Sequence, residues 1–245
     1  MALRRDAEGH PKAEERRSKN QAAKVDKDDL GATLENESDT KDTSKWFDPV
    51  RRRHHLVLLP TSRTGLENIF KLISRSHKEG FYRFPRIDRR MLKEHGQDVI
   101  VTSACIGGPF AYDVMHTLRD VQGPDLTASV LDDPARMEAA LARVANTHDQ
   151  LADAVGRDHV FAELQFNSLP QQHVVNRVLM EHARRNGVQL TAAADSHYCR
   201  PELWAEREIY KMLGRLNYDQ IDPTLLPKHK EQLKCELYPK NAGQM

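Results

Sequence analysis

The sequence predicts an α/β protein in which parallel βα units place helices outside an apolar sheet. Three observations carry that expectation. Four short apolar runs, His54–Pro60, Val99–Thr102, His159–Leu164 and Val188–Ala194, are separated by stretches of helical spacing. Those separations are long enough for crossover connections. The first 53 residues show neither helical nor strand periodicity, so the folded part begins after them.

Residues 1–53 are dense in Lys, Arg, Asp, Glu, Asn and Ser, with Leu3, Val25, Leu30 and Leu34 too scattered to form a face. Such a segment reads as disordered, with Trp46-Phe47 and Arg51-Arg52-Arg53 able to dock at its end. His54–Pro60 is a buried strand closed by proline. A helix follows, N-capped by Thr64 with Glu67 completing a capping box; Leu66, Ile69, Phe70 and Ile73 form its apolar face and Gly80 ends it. A basic loop, Tyr82–Arg90, leads to a short helix from Arg89 to His95 and then to the strand Val99–Thr102. Further helices span Phe110–Arg119 and Pro134 to Val155, the second behind Asp132 or Asp133 as capping acid. After His159–Leu164, the spacing of Val174, Val178, Leu179 and Ala183 is helical until Gly187. Val188–Ala194 is the fourth strand, Pro201–Leu213 a helix, and Cys235–Tyr238 a last extended piece in a looser end.

Composition narrows the function classes. Of 245 residues 30% are charged and 39% apolar, yet Lys+Arg total 37 against 36 Asp+Glu, which argues against a uniformly basic nucleic-acid coat. Cys105, Cys199 and Cys235 are odd in number and outside any CxxC pattern, so a disulfide framework is not expected and a reducing cytoplasm is. No apolar run approaches the roughly 20 residues of a membrane span, and Met-Ala-Leu-Arg-Arg-Asp lacks a signal peptide's apolar core.

The chemistry concentrates at Asp195-Ser196-His197, where the fourth strand ends. Strand side chains alternate with period two, so the carboxylate and the imidazole project from one side as a two-ligand claw. Such a pair suits Zn²⁺, Mn²⁺ or Fe²⁺, or acid–base work; a polar strand end or a helix cap is the plain alternative. In parallel βα folds functional groups gather where strands end, which places Cys105 on the same rim as Asp195 and His197. A free cysteine can equally be a small buried hydrophobe.

The ordered succession His55-Leu56-Val57-Leu58-Leu59, Thr64–Asn68, Pro85-Arg86-Ile87-Asp88, Ser103–Gly108, Glu163-Leu164-Gln165, Asn176 and Ala194–Tyr198 resembles the PHP (polymerase and histidinol phosphatase) domain of bacterial and phage DNA polymerase III alpha subunits. Glu236–Met245 resembles the segment just beyond that domain, before the polymerase palm, and Arg207–Lys211 looks phage-like. The resemblance covers about residues 54–245 and divides the chain into a charged segment (1–53), a partial PHP domain (54–216) and an extension toward an absent palm (217–245). It implies a distorted (β/α)₇ barrel, incomplete here. It also implies metal ligands at His55, Cys105, Asp195 and His197, with His54 an immediate competitor and His55 at the start of a strand rather than its end. The family's opening His-x-His strand and its further Asp, His and Glu ligands have no counterpart in residues 1–53, so the chain looks like the second half of the domain, from a split gene or a truncated reading.

Three functions follow as expectations. The first is part of a replicative polymerase, a nucleotidyltransferase, with metal-dependent 3′–5′ exonuclease proofreading once a partner chain supplies the missing half and the palm; DNA and other replisome subunits are then its partners. The second is a free-standing phosphoesterase using Glu163, His159 or His116, each of which also reads as structural. The third is a non-catalytic scaffold. Arg83, Arg86, Arg89, Arg90 and Lys93, with Tyr82 and Phe84 among them, form a basic-aromatic strip suited to single-stranded DNA, against the alternative of a solvated face.

Overall fold

The structure, a computed structural model, describes residues 53–81, 84–121, 125–215 (backbone only for 211–215), 229–230, 233 and 236–244. The expectations for residues 1–52, including Trp46-Phe47, and for Arg83 and Cys235 lie outside the described residues. The described residues fall into two units, 53–201 with 236–244, and 202–215 with 229–230 and 233. In the second unit the described part is chiefly a helix, Trp204–Arg215, in which Arg207 pairs with Glu208 at 2.8 Å.

The first unit is a mixed α/β body. Its order is β1 (Val57–Pro60), α1 (Arg63–Lys78), α2 (Arg89–His95), β2 (Val99–Thr102), α3 (Pro109–Thr117), α4 (Pro134–Val155), β3 (Val160–Gln165), α5 (Pro170–Asn186) and β4 (Gln189–Ala193). The four strands form one sheet in the order β1-β2-β3-β4. β2, β3 and β4 are parallel as expected, but β1 is antiparallel to β2, with Val57 opposite Thr102 and Pro60 opposite Val99. The reason lies in the connection. α1 leaves the end of β1, and α2 returns the chain to that same end, where the Thr61 amide donates to the Asp98 carbonyl at 2.9 Å.

That turn also sets how α1 begins and which way it faces. Ser62, not Thr64, caps it: the Ser62 hydroxyl accepts from the Gly65 amide at 3.2 Å and donates to Asp98 at 2.7 Å, while Glu67 pairs with Arg63. A Cβ on Gly65 would lie 2.0 Å from the Asp98 carbonyl oxygen, so only glycine lets the helix meet the turn. With Gly65 inward, α1 buries Gly65, Asn68, Leu72 and Ser76, and its expected apolar face turns outward, leaving Leu66, Phe70 and Ile73 exposed. The helix is positioned by a close backbone approach rather than by its most apolar stripe.

Elsewhere local signals act as expected. Asp133 caps α4 by accepting from the Ala135 amide, while Asp132 is held by Arg177. Gly187, at φ +65°, closes α5 in the left-handed region. Leu58, Val101, Val160, Ala162 and Leu164 share one sheet face and pack with Leu72, Leu92, Phe110, Val144 and Val178 of the helices into one core. His148 and His182 are also in this interior, each 1% exposed, their rings 5.3 Å apart and both against Phe110. Among the described residues no helix is long and apolar enough to cross a membrane.

Candidate functional site

The antiparallel β1 brings the start of that strand to the end of β2. The His55 amide donates to the Gly107 carbonyl at 3.0 Å, and the His55 imidazole Nδ1 lies 3.3 Å from the Cys105 Sγ. A histidine that leads into its strand thus joins the rim formed by the strand ends. His54, the competitor, packs its ring at a tilt against Tyr112 instead, at 4.8 Å between centroids.

Cys105 is presented by a tightly built turn. Ala104 adopts φ +55°, a left-handed conformation that costs a non-glycine residue about 1 kcal/mol and is held by its surroundings. The Gly108 amide donates to the Cys105 carbonyl at 2.7 Å, and a Cβ on Gly108 would sit 1.8 Å from the Ser103 carbonyl oxygen. A Cβ on Gly107 would press on the His55 ring at 3.2 Å, so this glycine leaves room for the imidazole. Burial pushes the Cys105 thiol up to about 11, with the nearby Asp195 charge adding to it and the Gly107 backbone opposing it. The thiol is therefore neutral near pH 7 and is no nucleophile by itself.

Asp195 and His197 do come together, for a different reason than strand alternation. β4 ends at Ala193, and Asp195 takes φ +48°, so the chain has left extended geometry before the pair is complete. The turn sets His197 Nε2 3.5 Å from Asp195 Oδ1, with both side chains about one-third to two-fifths exposed. The rim thus holds two pairs, His55–Cys105 and Asp195–His197, coupled by the charge of Asp195 on the thiol. Among the described residues no group of three or more His, Cys, Asp or Glu side chains is drawn together closely enough to hold an ion. A metal centre of the usual kind needs three or four protein ligands, so the described residues do not by themselves fit one.

Behind the rim lies a hydrogen-bonded layer around Glu163, the strand-end hydrogen-bonding acid of the sequence, whose partners only the structure names. The buried Glu163 carboxylate accepts from Thr102 Oγ1 at 2.5 Å and from Gln165 Nε2 at 2.9 Å, and its amide donates to Ser103 Oγ at 2.8 Å. Asn176 then donates to the Gln165 carbonyl at 2.8 Å, anchoring α5 to the end of β3. Glu163 is a strand-end acid occupied in structure. His159 faces the Val155 carbonyl at the opposite end of β3, and His116 lies against Tyr112. The hydrogen-bonding roles of Thr102 and Ser103 carry no signal in the sequence, because a strand-end hydroxyl is indistinguishable from a solvated one until its partner strand is known.

Two members of the basic strip, Arg90 and Lys93, are paired with acids. Arg90 lies 3.1 Å from Glu94 and within 4.0 Å of Asp88 and Glu79, and Lys93 pairs with Asp153 at 2.7 Å. Arg89 is exposed.

The PHP domain family model matches residues 14–167, beginning inside the charged segment and ending before the claw. The chain is 37% identical over 148 residues to the DNA polymerase III subunit alpha of Thermus aquaticus, which is 60% of this chain and 10% of that protein. It is 34% identical over 183 residues to the Aquifex aeolicus subunit (74% and 13%), and 29% identical over 206 residues to that of Deinococcus radiodurans (84% and 13%). The chain thus spans between a tenth and a seventh of the length of these relatives. With more than half of its 245 residues in the family match, and its relatives agreeing in kind, the chain belongs to the PHP domain family.

Proposed function

We propose that this chain is a PHP region of a DNA polymerase III alpha subunit, working in DNA replication in the cytoplasm, and that it contributes one part of a metal site completed by a partner segment. The observation that carries this reading is the meeting of His55 with Cys105 beside Asp195 and His197 on one rim. PHP domains are generally metal-dependent, and a bound Zn²⁺, Mn²⁺ or Fe²⁺ would supply Lewis-acid chemistry for hydrolysis of a DNA 3′ end, the proofreading role. The chain's own residues would offer an imidazole, a thiol, a carboxylate and a second imidazole; the remaining ligands would come from the segment that completes a PHP-type barrel. Support for such a segment comes from the sheet itself: Val57 and Leu59, on the face opposite the helices, are exposed. The palm, DNA and other replisome subunits are the further partners in this reading. A free-standing phosphoesterase is disfavoured, since Glu163, His159 and His116 are engaged elsewhere. A scaffold without metal is the second reading, favoured by the lack of a three-ligand group among the described residues.

Elemental mass spectrometry tests the choice, on the chain alone and co-purified with a segment bearing a His-x-His strand. The proposal expects about one or more transition-metal ions per complex, lost in Asp195→Ala/His197→Ala. A metal-free complex that is otherwise folded would make the scaffold reading correct.

A further inference from the structure

We propose that the C-terminal segment 236–244 is a strap that positions the Asp195–His197 turn, with Leu237 and Tyr238 as positioning residues; the functional weight of this rests on reading that turn as part of the site. The β4 ladder ends at Ala193, and Asp195 sits in the left-handed region. One carbonyl of the C-terminal segment reaches the next residues. The Leu237 oxygen accepts from the His197 amide at 2.7 Å and from the Tyr198 amide at 3.2 Å. The Leu237 side chain is buried with Leu169 and Tyr198 in a small apolar cluster separate from the main core. Leu169 belongs to the loop after β3, so the strap ties together the loops after β3 and β4.

The strap is also organised internally. The Tyr238 ring lies 6.0 Å from that of Tyr198, with Lys240 Nζ 4.8 Å from the Tyr238 ring centroid and donating to the Glu236 carbonyl. A turn closes the segment, the Gln244 amide donating to the Asn241 carbonyl at 3.0 Å. By contrast the His197 imidazole meets Asp195 at 3.5 Å, too long for a good hydrogen bond. The direction of the imidazole is therefore inherited from the backbone, and the backbone from Leu237.

Hydrogen exchange on the full chain tests the strap without recourse to metal or activity. In Leu237→Asp the His197 and Tyr198 amides exchange more than about tenfold faster, while Ala162 and Leu164 amides of β3 are unchanged and Leu237→Ile restores the slow rates. Unchanged exchange at His197 and Tyr198 would overturn the proposal. If Leu237→Asp accelerates β3 as well, Tyr238→Ala is read the same way; equal acceleration of β3 and His197 in both variants would make the segment ordinary core and end the strap. Metal uptake is separate: a metal-free complex with a working strap overturns the site reading alone.

Discussion

The buried imidazole pair makes the fold acid-sensitive in a window that carboxylates do not explain. His182 is 1% exposed, and burial pushes it down to about 4 from 6.5, with its neighbour His148 and, more weakly, Arg157 adding to the effect and Asp149 opposing it. His148 is lowered too, chiefly by burial and then by Arg157. The unfolded chain therefore binds protons that the folded chain refuses, so stability is complete above about pH 6.5 and is lost as pH falls toward about 4. For His182, a drop of about 2.5 units at roughly 1.4 kcal/mol each amounts to about 3 kcal/mol lost by pH 4, of which about 2 is gone at pH 5. At pH 5 that lowers Tm by about 4–8 °C for a domain of this size. The perturbation is His182→Leu, which keeps an apolar body against Phe110 and removes the proton site. Thermal melts between pH 7.5 and 5 show the wild type losing stability faster than the variant by about 2 kcal/mol. Parallel pH dependences for the two proteins would refute the reasoning, whatever their absolute Tm.

Other expectations follow from single contacts. Leu72→Ala costs about 2–5 kcal/mol in urea unfolding, whereas Phe70→Ala and Ile73→Ala stay within about 0.5, because α1 turns its apolar stripe outward. Gly108→Ala forces the new Cβ onto the Ser103 carbonyl and lowers stability by about 3 kcal/mol in the same assay, loosening the Cys105 turn. Thr102→Val leaves the buried Glu163 one donor short and costs about 1–3 kcal/mol, read by denaturant midpoint.

Much of the architecture is legible in the sequence. The short helix at Arg89–His95, the strand at Val99–Thr102 and the helix at Pro134–Val155 follow from local signals: a capping acid, a proline at the first turn, a closing glycine, an apolar run of strand length. These are decided within a few residues, so the sequence carries them. The closeness of Asp195 and His197 was also legible, though strand alternation was the wrong cause and a left-handed residue the right one.

What stayed hidden depends on partners distant in the chain. Helical spacing shows that residues 63–78 form a helix, yet its rotation was set by Gly65 meeting the Asp98 carbonyl 33 positions later. Strand direction was likewise hidden, since an apolar run reads the same whichever way it pairs. The sequence by itself determined the elements and the residue types able to make a site, but not that β1, expected to be buried, leaves Val57 and Leu59 exposed. Only the tertiary structure decided that β1 runs antiparallel and so carries His55 to Cys105, because side-chain convergence is a property of chain direction and register, which local energetics do not encode.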